Sequence, residues 1–313
     1  MTNQELVLKY KSMLTVQKKY NDKVVGTSLS RKEKEIHTQQ LALCAHAELS
    51  ALVNATNFKK HHGSLEKVDR DNILYESIDV LRYIQAIQNV WNIKAEEVES
   101  AFNAKDAYLN ARRRISSNPW RGQPVAIVDM DDVLVNFRRC FANWLNAEYG
   151  IMPDVESTEY YFITALSKID VNPEEVFSNF ISQDGFLKLL PNPGAREFIN
   201  SLKLKGYWIQ ILTARPEEDL RCMYNTFQWL SKYEFHYDDI AFSSEKFRWC
   251  AKSKYYDDKK IAFAIDDSPK HAEEYAKHGI RVKVPVKSYN KDINQKVDYY
   301  ENFTDLLLQI EEG

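Results

Sequence analysis

The stretch VAIVDMDDVLVNF, residues 125–137, decides how the second part of this chain folds. It begins with an apolar, β-branched run that predicts a buried strand. Three acids then follow within four positions, Asp129, Asp131 and Asp132. Carboxylates clustered at the end of a buried strand must either bind a cation or lie in open water, because buried like charges favour reprotonation. The other strands of the same region decide between a cation site and a solvated turn.

The region after residue 124 alternates short β-rich runs with helical runs. The predicted strands are VAIVDM (125–130), YWIQILTA (207–214), DIAFSS (239–244), KIAFAID (260–266) and RVKVPV (281–286), and the helical candidates between them are residues 193–204, 216–232 and 269–278. This alternation predicts a parallel sheet with right-handed crossovers. Ligands of such sheets bind beyond the carboxyl ends of the strands.

Four of the predicted strands end in polar side chains. These are Asp129 and Asp131 after the first strand, Thr213 at the second, Lys246 after the third, and Asp266 with Asp267 after the fourth. A carboxylate can attack phosphorus, a second carboxyl can move the proton, and Mg2+ can offset the charge. A hydroxyl and an ammonium group can hold the phosphate oxygens. The combination therefore favours a cation and phosphate site over a solvated turn.

The sequence leaves open which lysine lies at this edge and what role Arg215 has. Lys252 and Lys254 lie close enough in sequence to replace Lys246, although Lys246 stands better placed just beyond its strand. Arg215 is a candidate for bidentate phosphate binding, and an exposed arginine at a helix start is the alternative.

The order of these residues resembles the haloacid dehalogenase (HAD) superfamily of phosphatases over residues 124–285. Its DxDx[TV] signature stands here as DMDDV (129–133), ILTARP matches the threonine motif, and AIDDSP matches the late acidic motif. The 5'(3')-deoxyribonucleotidase-like branch is the closer resemblance, since DMDDVL and PNPGARE (191–197) match its DMDGVL and PxPGAxE. Asp132 departs from that pattern because it occupies a position that is usually glycine, where another backbone or a ligand approaches closely.

The resemblance implies a Rossmann-like α/β domain with a small helical cap at about residues 138–190. It assigns Asp129 as the nucleophile, Asp131 as the general acid and base, and Thr213 and Lys246 as phosphate ligands. The implied Mg2+ ligands are Asp129, Asp131 through its backbone carbonyl, Asp266 and Asp267. The aromatic residues of the insert are expected to form the core of the cap, with stacking on a base as the alternative; they are Tyr160, Tyr161, Phe162, Phe177, Phe180 and Phe186.

The N-terminal part of the chain has a different pattern. Residues 1–115 contain two glycines and no proline, which permits long helices. Apolar residues recur at helical spacing in residues 31–58, 72–91 and 95–114, and residues 1–20 are a further helical candidate. We predict an all-α helical bundle in residues 1–115, a linker SSNPWRGQP in residues 116–124, and the α/β domain in residues 125–313.

A second set of acids lies in the predicted helices. Glu76 and Asp79 are three residues apart and share a helix face, and Glu48 interrupts the apolar pattern of the preceding helix. Inward-facing acids on neighbouring helices indicate Mg2+ binding. These residues resemble the all-α nucleoside triphosphate pyrophosphatases, the MazG-like and dimeric dUTPase-like group, over residues 36–113. Three of that group's four acids (ExxE, then ExxD) are present, and Ala45 stands at the fourth position.

The same resemblance implies substrate ligands and an assembly. Lys105, Asn110 and Arg112 correspond to the group's basic helix, KxxxNxxR, with Asn110 one place from the expected position. Pairing of subunits implies a homo-oligomer, a dimer or larger. For Ala45 two interpretations stay open. His46 or water replaces the missing ligand and pyrophosphatase activity is retained, or the bundle is a nucleotide-sensing and oligomerisation module.

Composition excludes several other classes. A net charge of -3 provides no field for stable nucleic-acid binding. The four cysteines are scattered without a CxxC pair, so we expect neither a zinc cluster nor a disulfide framework. Unpaired cysteines are typical of a reducing compartment, and we therefore expect a cytoplasmic location. No apolar run approaches the roughly 18 residues of a membrane span, and residues 1–20 are too polar for a signal peptide. No membrane partner is therefore expected.

The two resemblances together imply a Mg2+-dependent nucleotide phosphohydrolase. The bundle would convert a (deoxy)nucleoside triphosphate to monophosphate and pyrophosphate, and the HAD-like domain would dephosphorylate the monophosphate through an aspartyl-phosphate. A 3'-phosphatase acting on nucleic-acid ends is a further alternative, which no basic stripe supports.

Overall fold

The computed structural model describes residues 3–25, 28–56, 68–159, 162–168 and 172–311. Contacts divide the chain into two compact units, Met1–Asn103 and Ala104–Gly313. The helix α4 (Ala95–Ser117) supplies residues to both units. It continues into the first two residues of the predicted linker, 116–124, because no helix breaker occurs before Pro119. The proposed domain boundaries at 115 and 125 stay a prediction.

The first unit is helical, as predicted. Its helices are α1 (Asn3–Val25), α2 (Arg31–Asn54), α3 (Arg70–Val90) and the start of α4. Ser30 and Glu33 form a capping box that begins α2, and the side chain of Asp69 caps α3. The predicted helical run 31–58 ends earlier, at Asn54, and Phe58 lies outside the described residues.

Several large apolar side chains of the second helix are exposed to solvent. No residue of α2 is buried, and Leu43 is 72% exposed. Other large apolar side chains of α2 and α3 are also exposed: Ile36, Leu49, Val53, Leu74, Tyr75, Ile78 and Ile84. Since an amphipathic helix normally buries its apolar residues, the described residues of this unit leave part of the apolar surface of α2 and α3 uncovered.

The second unit contains a six-stranded sheet in the order β3-β2-β1-β4-β5-β6, in which each strand is parallel to its neighbours. The strands are β1 (Val125–Val128), β2 (Trp208–Thr213), β3 (Asp239–Phe242), β4 (Ile261–Ile265), β5 (Val282–Pro285) and β6 (Asp298–Tyr300). The first five were predicted from the sequence. The sixth was missed because its three residues are too short to show a period.

Strand register brings the predicted site residues to one edge. Val128 at the end of β1 pairs with Ile211 of β2 and with Ile265 of β4. The residues that follow these strands therefore lie at the same carboxyl edge. Every residue of β1 is buried. Ala126 and Val128 contribute to one apolar cluster and Val125 and Ile127 to another, as expected for a central strand covered on both faces.

Helices surround the sheet and build the predicted cap. Between β1 and β2 lie α5 (Phe137–Tyr149), α6 (Ile163–Leu166), α7 (Pro173–Ser182), α8 (Gly185–Lys188) and α9 (Ala195–Leu204). Later in the chain follow α10 (Leu220–Lys232), α11 (Lys246–Ala251), α12 (Lys254–Asp257), α13 (Pro269–Lys277) and α14 (Phe303–Glu311). Searched over its described part, the chain has no helix whose length and apolar character would let it cross a membrane.

Aromatic side chains fill the interior of the cap, as expected. Phe180 and Phe186 are 2% and 1% exposed, and their ring centroids lie 5.3 Å apart in an edge-to-face arrangement. Phe177 packs at the border of the same cluster, and Phe162 is buried. Tyr160 and Tyr161 lie outside the described residues.

Candidate active site at the carboxyl edge of the sheet

The loop after β1 is fixed by backbone hydrogen bonds. The amide of Asp129 donates to the carbonyl of Ile265 at 3.0 Å, which ties the loop to the neighbouring strand. The amide of Val135 donates to the carbonyl of Met130 at 2.8 Å and closes one turn. The side-chain amide of Asn192 donates to the carbonyl of Val133 at 2.7 Å. The acids of this loop therefore have defined positions.

Asp132 has a backbone conformation that is unusual for a residue with a side chain. Its φ is 53°, in the left-handed region where glycine is usual and aspartate is among the tolerated residues. Its carboxylate accepts the amide of Arg138 at 3.0 Å, in the first turn of α5. Asn136, which precedes that helix, provides no side-chain cap. The aspartate thus replaces the glycine and supplies the missing cap.

A buried lysine lies between two of the predicted catalytic acids. The Nζ atom of Lys246 lies 2.7 Å from Oδ1 of Asp129 and 2.7 Å from Oδ2 of Asp266. The side chain of Lys246 is 1% exposed. Lys252 and Lys254, the alternatives from the sequence, are exposed. The structure therefore places Lys246 at the acidic centre, because α11 begins with this residue directly beyond the edge of the sheet.

Burial and charge act in opposite directions on these groups. Burial raises the pKa of Asp129 to about 6, although Lys246 favours its ionised form. Burial also raises the pKa of Asp266, again against the effect of Lys246. For Lys246, burial disfavours the charge, but Asp129 and Asp266 outweigh it and raise its pKa. The single positive charge of Lys246 thus only partly offsets the effect of burial on the pKa of the two carboxyls.

Asp267 adds a carboxylate with one oxygen available for a ligand. Its Oδ2 accepts the hydroxyl of Tyr289 at 2.7 Å, whereas Oδ1 is buried and has no hydrogen-bond partner among the described residues. Burial, with the nearby acids, raises its pKa well above the ordinary value. Asp129, Asp266 and Asp267 each direct a carboxylate oxygen to within 4.8 Å of the others. Mg2+ prefers carboxylate oxygens, so this acidic cluster fits the predicted cation.

Arg215 orients the second predicted catalytic acid. Its Nε and Nη2 atoms donate to the two oxygens of Asp131 at 2.9 and 2.6 Å, a bidentate pair. Its Nη1 donates to Thr226 at 3.0 Å, and its guanidinium lies 4.2 Å from the ring centre of Phe186 in the cap. The side chain of Asp131 is 27% exposed, whereas that of Arg215 is 1% exposed. A buried arginine thus fixes the position of a carboxyl group that is partly accessible to solvent.

Thr213 lies at the same edge. It ends β2, is fully buried, and its hydroxyl accepts the amide of Arg215 at 3.3 Å. Its carbonyl accepts the amide of Ser243, the residue after β3. The structure therefore brings together Asp129, Asp131, Thr213, Arg215, Lys246, Asp266 and Asp267, as the sequence predicts.

Three residues around this centre were missed. Tyr289 contacts Asp267 from the loop after β5. Arg138 in α5 donates to three backbone carbonyls of residues 155–159, which ties the cap loop to the start of α5. His271 in α13 is buried, and burial, followed by the charge of Lys246, lowers its pKa to about 4. No local motif marks these positions, because their roles come from contacts distant in sequence.

The helical unit brings its own predicted acids together. Glu48, Glu76 and Asp79 place carboxylate oxygens within 4.8 Å of one another. Burial, followed by the negative charge of Glu48, raises the pKa of Glu76. Such repulsion is relieved by a divalent cation, so the three acids fit Mg2+. Ala45 lies in α2 one turn before Glu48 and offers no ligand.

The predicted basic helix, the later part of α4, has neighbours in the second unit. Lys105 donates to the hydroxyl of Tyr224 at 2.6 Å and lies 5.1 Å from the ring centre of Tyr108. Asn110 donates to Asp106 at 3.0 Å. Arg112 carries a positive charge near Asp239 that favours the ionised form of this acid, whose pKa burial raises. The roles of Lys105, Asn110 and Arg112 in binding a triphosphate stay a prediction.

Two family models match the chain. The family described as "5' nucleotidase, deoxy (Pyrimidine), cytosolic type C protein" matches residues 123–311. The family described as "dUTPase" matches residues 9–183. The two matches overlap at residues 123–183, which include β1 and most of the cap helices. Both resemblances identified from sequence motifs are therefore confirmed.

The solved structures that match this chain have low sequence identity to it. A HAD family hydrolase from Deinococcus radiodurans R1, with bound phosphate and sodium, is 14% identical, covers 61% of this chain and 96% of that chain, and has a TM-score of 0.44. A predicted phosphatase from Clostridium acetobutylicum is 15% identical, covers 61% of this chain and 100% of that chain, and has a TM-score of 0.45. The comparison with curated proteins found no match.

Proposed function

This chain belongs to the deoxy (pyrimidine), cytosolic type C 5' nucleotidase family through residues 123–311 and to the dUTPase family through residues 9–183, and on that premise we propose two consecutive reactions. It is a nucleotide phosphohydrolase. We propose that the helical domain hydrolyses a deoxynucleoside triphosphate to the monophosphate and pyrophosphate, and that the second domain then removes the remaining phosphate. Nucleotides, rather than nucleic acid or a membrane, are the proposed partners.

The acidic centre supports an aspartyl-phosphate mechanism. Asp129 follows a buried central strand and its carboxylate is held 2.7 Å from Lys246. We assign this carboxylate as the nucleophile that attacks the substrate phosphorus while the ester oxygen leaves. Lys246 and Thr213 lie at the same edge, where they can hold the phosphate oxygens as charge shifts from the ester to the leaving group.

Asp131 supplies proton transfer in both steps. Its carboxyl gives a proton to the leaving oxygen, and then accepts one from the water that attacks the aspartyl-phosphate and regenerates Asp129. Arg215 donates to both oxygens of this carboxyl, which fixes its orientation. Orientation of this kind raises the rate because the acid is in place before reaction begins.

Magnesium fits the acidic cluster and would reduce its repulsion. Asp129, Asp266 and Asp267 would hold it, with the backbone carbonyl of Asp131 as a further ligand, and the unpartnered oxygen of Asp267 supports this assignment. When bound, Mg2+ neutralises charge on the phosphate and on the carboxylates. A cytoplasmic location is proposed with it, in keeping with the cytosolic family description.

The helical domain carries two candidate roles. Pyrophosphatase activity is supported by the dUTPase family match and by the cluster of Glu48, Glu76 and Asp79. Ala45 favours the alternative, in which the bundle senses a nucleotide and assembles the protein without hydrolysis, since one family acid is absent. The exposed apolar residues of α2 support a homo-oligomer in either case, because subunit pairing would bury them.

A panel of deoxynucleoside triphosphates tests both reactions. Wild type, Asp129→Asn and Glu76→Gln are each incubated with one triphosphate and Mg2+, and nucleoside, monophosphate, pyrophosphate and phosphate are resolved. We expect wild type to release nucleoside, Asp129→Asn to accumulate monophosphate, and Glu76→Gln to leave the triphosphate intact while still hydrolysing monophosphate. Unchanged triphosphate hydrolysis in Glu76→Gln would remove the proposed role of the helical acids. Absence of both products with every triphosphate would refute the two-reaction proposal.

A further inference from the structure

A polar cleft of about 320 Å³ lies beside the acidic centre in the second unit. The first residues of α5, the cap loop at residues 155–156 and the loop after β5 form its walls. Asp132, three residues after Asp129, lies in one wall. Tyr289, whose hydroxyl donates to Asp267 at 2.7 Å, lies in another. The cleft therefore shares walls with the acidic centre, although neither Asp129 nor Asp131 lines it.

Cationic side chains dominate the lining of the cleft. Its charged residues are Arg138, Arg139, Lys287 and Lys291 against Asp132 and Glu156. Arg138 is committed to the backbone carbonyls of the cap loop. In the part of the chain that the structure describes, Arg139, Lys287 and Lys291 form no ion pair within 4.0 Å. The lining thus carries four positive and two negative side chains, and this excess of positive charge would favour an anion entering the cleft.

The position of α5 adds to this preference. Asn136, the residue before the helix, lines the cleft and makes no side-chain cap. A helix of 13 residues directs its positive dipole end toward its N-terminus, where Asp132 already accepts the amide of Arg138. Phosphate is the anion that suits a helix start with lysine and arginine donors.

We propose that this cleft binds a second phosphate group of a nucleotide ligand, apart from the phosphate that reacts at Asp129. This inference rests on the proposed monophosphatase function for the first phosphate. A nucleoside alone brings no charge into the cleft, whereas a nucleotide with two separate phosphates places one at the acidic centre and one among Arg139, Lys287 and Lys291. The chain therefore prefers deoxynucleoside 3',5'-bisphosphates over monophosphates as ligands.

Calorimetric titration of full-length Asp129→Asn in Mg2+ tests this preference without turnover. Deoxyuridine 5'-monophosphate and deoxyuridine 3',5'-bisphosphate are the two probes. We expect the bisphosphate to bind at least about tenfold more tightly, a difference within the range of charge-assisted phosphate contacts. Adding Lys287→Gln and Lys291→Gln should remove most of that advantage and leave monophosphate affinity within about twofold, since only cleft charges change.

Matched controls separate the cleft from general charge. Lys277→Gln removes an exposed lysine of α13 outside the cleft and should preserve the bisphosphate advantage. Equal affinity for the two probes, an advantage that persists in the double lysine variant, or no binding of either probe would overturn the proposal. Phosphate release from deoxyuridine monophosphate by wild type is measured separately. Its absence would refute the proposed function, whereas its presence with equal affinities would refute the cleft alone.

Discussion

Replacing Lys246 with methionine removes the cation that lies between Asp129 and Asp266. The lysine side chain is 1% exposed and its nitrogen lies 2.7 Å from an oxygen of each acid. Methionine preserves much of the length of the side chain and all of its apolar packing. Asp129, Asp266 and Asp267 would then be buried without that charge. Breaking a buried ion pair in this way costs about 3–5 kcal/mol, so we expect a loss of that size at pH 8 without added Mg2+.

The loss should become smaller as the pH falls. Asp129 has an ordinary pKa of 3.8 and a folded pKa of about 6, so between these values the folded state holds more protons than the unfolded state. The contribution of Asp129 to the free energy of unfolding therefore falls as the pH rises from its ordinary pKa to its folded pKa. Above the folded pKa, the buried carboxylate destabilises the folded state by about 3 kcal/mol. Without Lys246 the folded pKa of Asp129 rises further. At pH 5 both proteins hold this proton, so the difference between them narrows.

Urea unfolding in EDTA at pH 5 and pH 8 measures both effects. Lys277→Met is the control, because this lysine is exposed on α13 and its replacement should change stability by less than about 0.5 kcal/mol. Added Mg2+ should restore part of the lost stability to Lys246→Met, since the carboxylates remain available. A Lys246→Met protein within about 1 kcal/mol of wild type at pH 8, or a loss that does not vary with pH, would refute the assigned electrostatics.

Three further predictions follow from the same edge of the sheet. Arg215→Lys loses the bidentate contact to Asp131, so kcat for a phosphate monoester should fall by about 100-fold with little change in KM. Steady-state kinetics measures both constants, and an unchanged kcat would show that the arginine does not position the acid. Mg2+ affinity should be about tenfold weaker at pH 5 than at pH 7, because Asp129, with a pKa of about 6, must lose its proton to become a ligand. Titration calorimetry with Mg2+ alone measures this difference, and equal affinities at the two pH values would contradict it. Asp132→Ala should lower the free energy of unfolding by about 1–2 kcal/mol, because it removes the cap to Arg138 and places alanine at a φ of 53°. Asp132→Asn should lower it by less than about 1 kcal/mol, and equal thermal midpoints for the two variants would count against the capping role.

Strand-end chemistry was predictable because it is local. An apolar run followed directly by acids gives both the strand and the residues beyond it, so Asp129, Asp266 and Asp267 were identified before the sheet was known. The choice of Lys246 over Lys252 and Lys254 needed the start of α11, which only the fold fixes. The four long helices α1 to α4 were likewise predictable, whereas the position at which a helix ends, as in α4, depended on where the next helix breaker occurs.

Partnerships distant in sequence were not predictable from spacing. Arg215 and Asp131 are 84 residues apart, and the sequence offered Arg215 only as a phosphate ligand or an exposed residue. Its observed contacts with Asp131, Thr226 and Phe186 arise from the parallel order of β1 and β2, which brings their ends together. Tyr289 reaches Asp267 in the same way, from a loop with no recognisable motif. The structure therefore adds the residues that orient the predicted acids.

Trapping the covalent intermediate tests the assignment of Asp129 most directly. Full-length wild type and Asp129→Asn are mixed with deoxyuridine monophosphate and Mg2+, quenched in acid during turnover, digested and analysed by mass spectrometry. The predicted result is one added phosphoryl group on the wild-type peptide that contains Asp129, and none on the variant. A phosphoryl group on another residue, or hydrolysis by Asp129→Asn at the wild-type rate, would contradict the account.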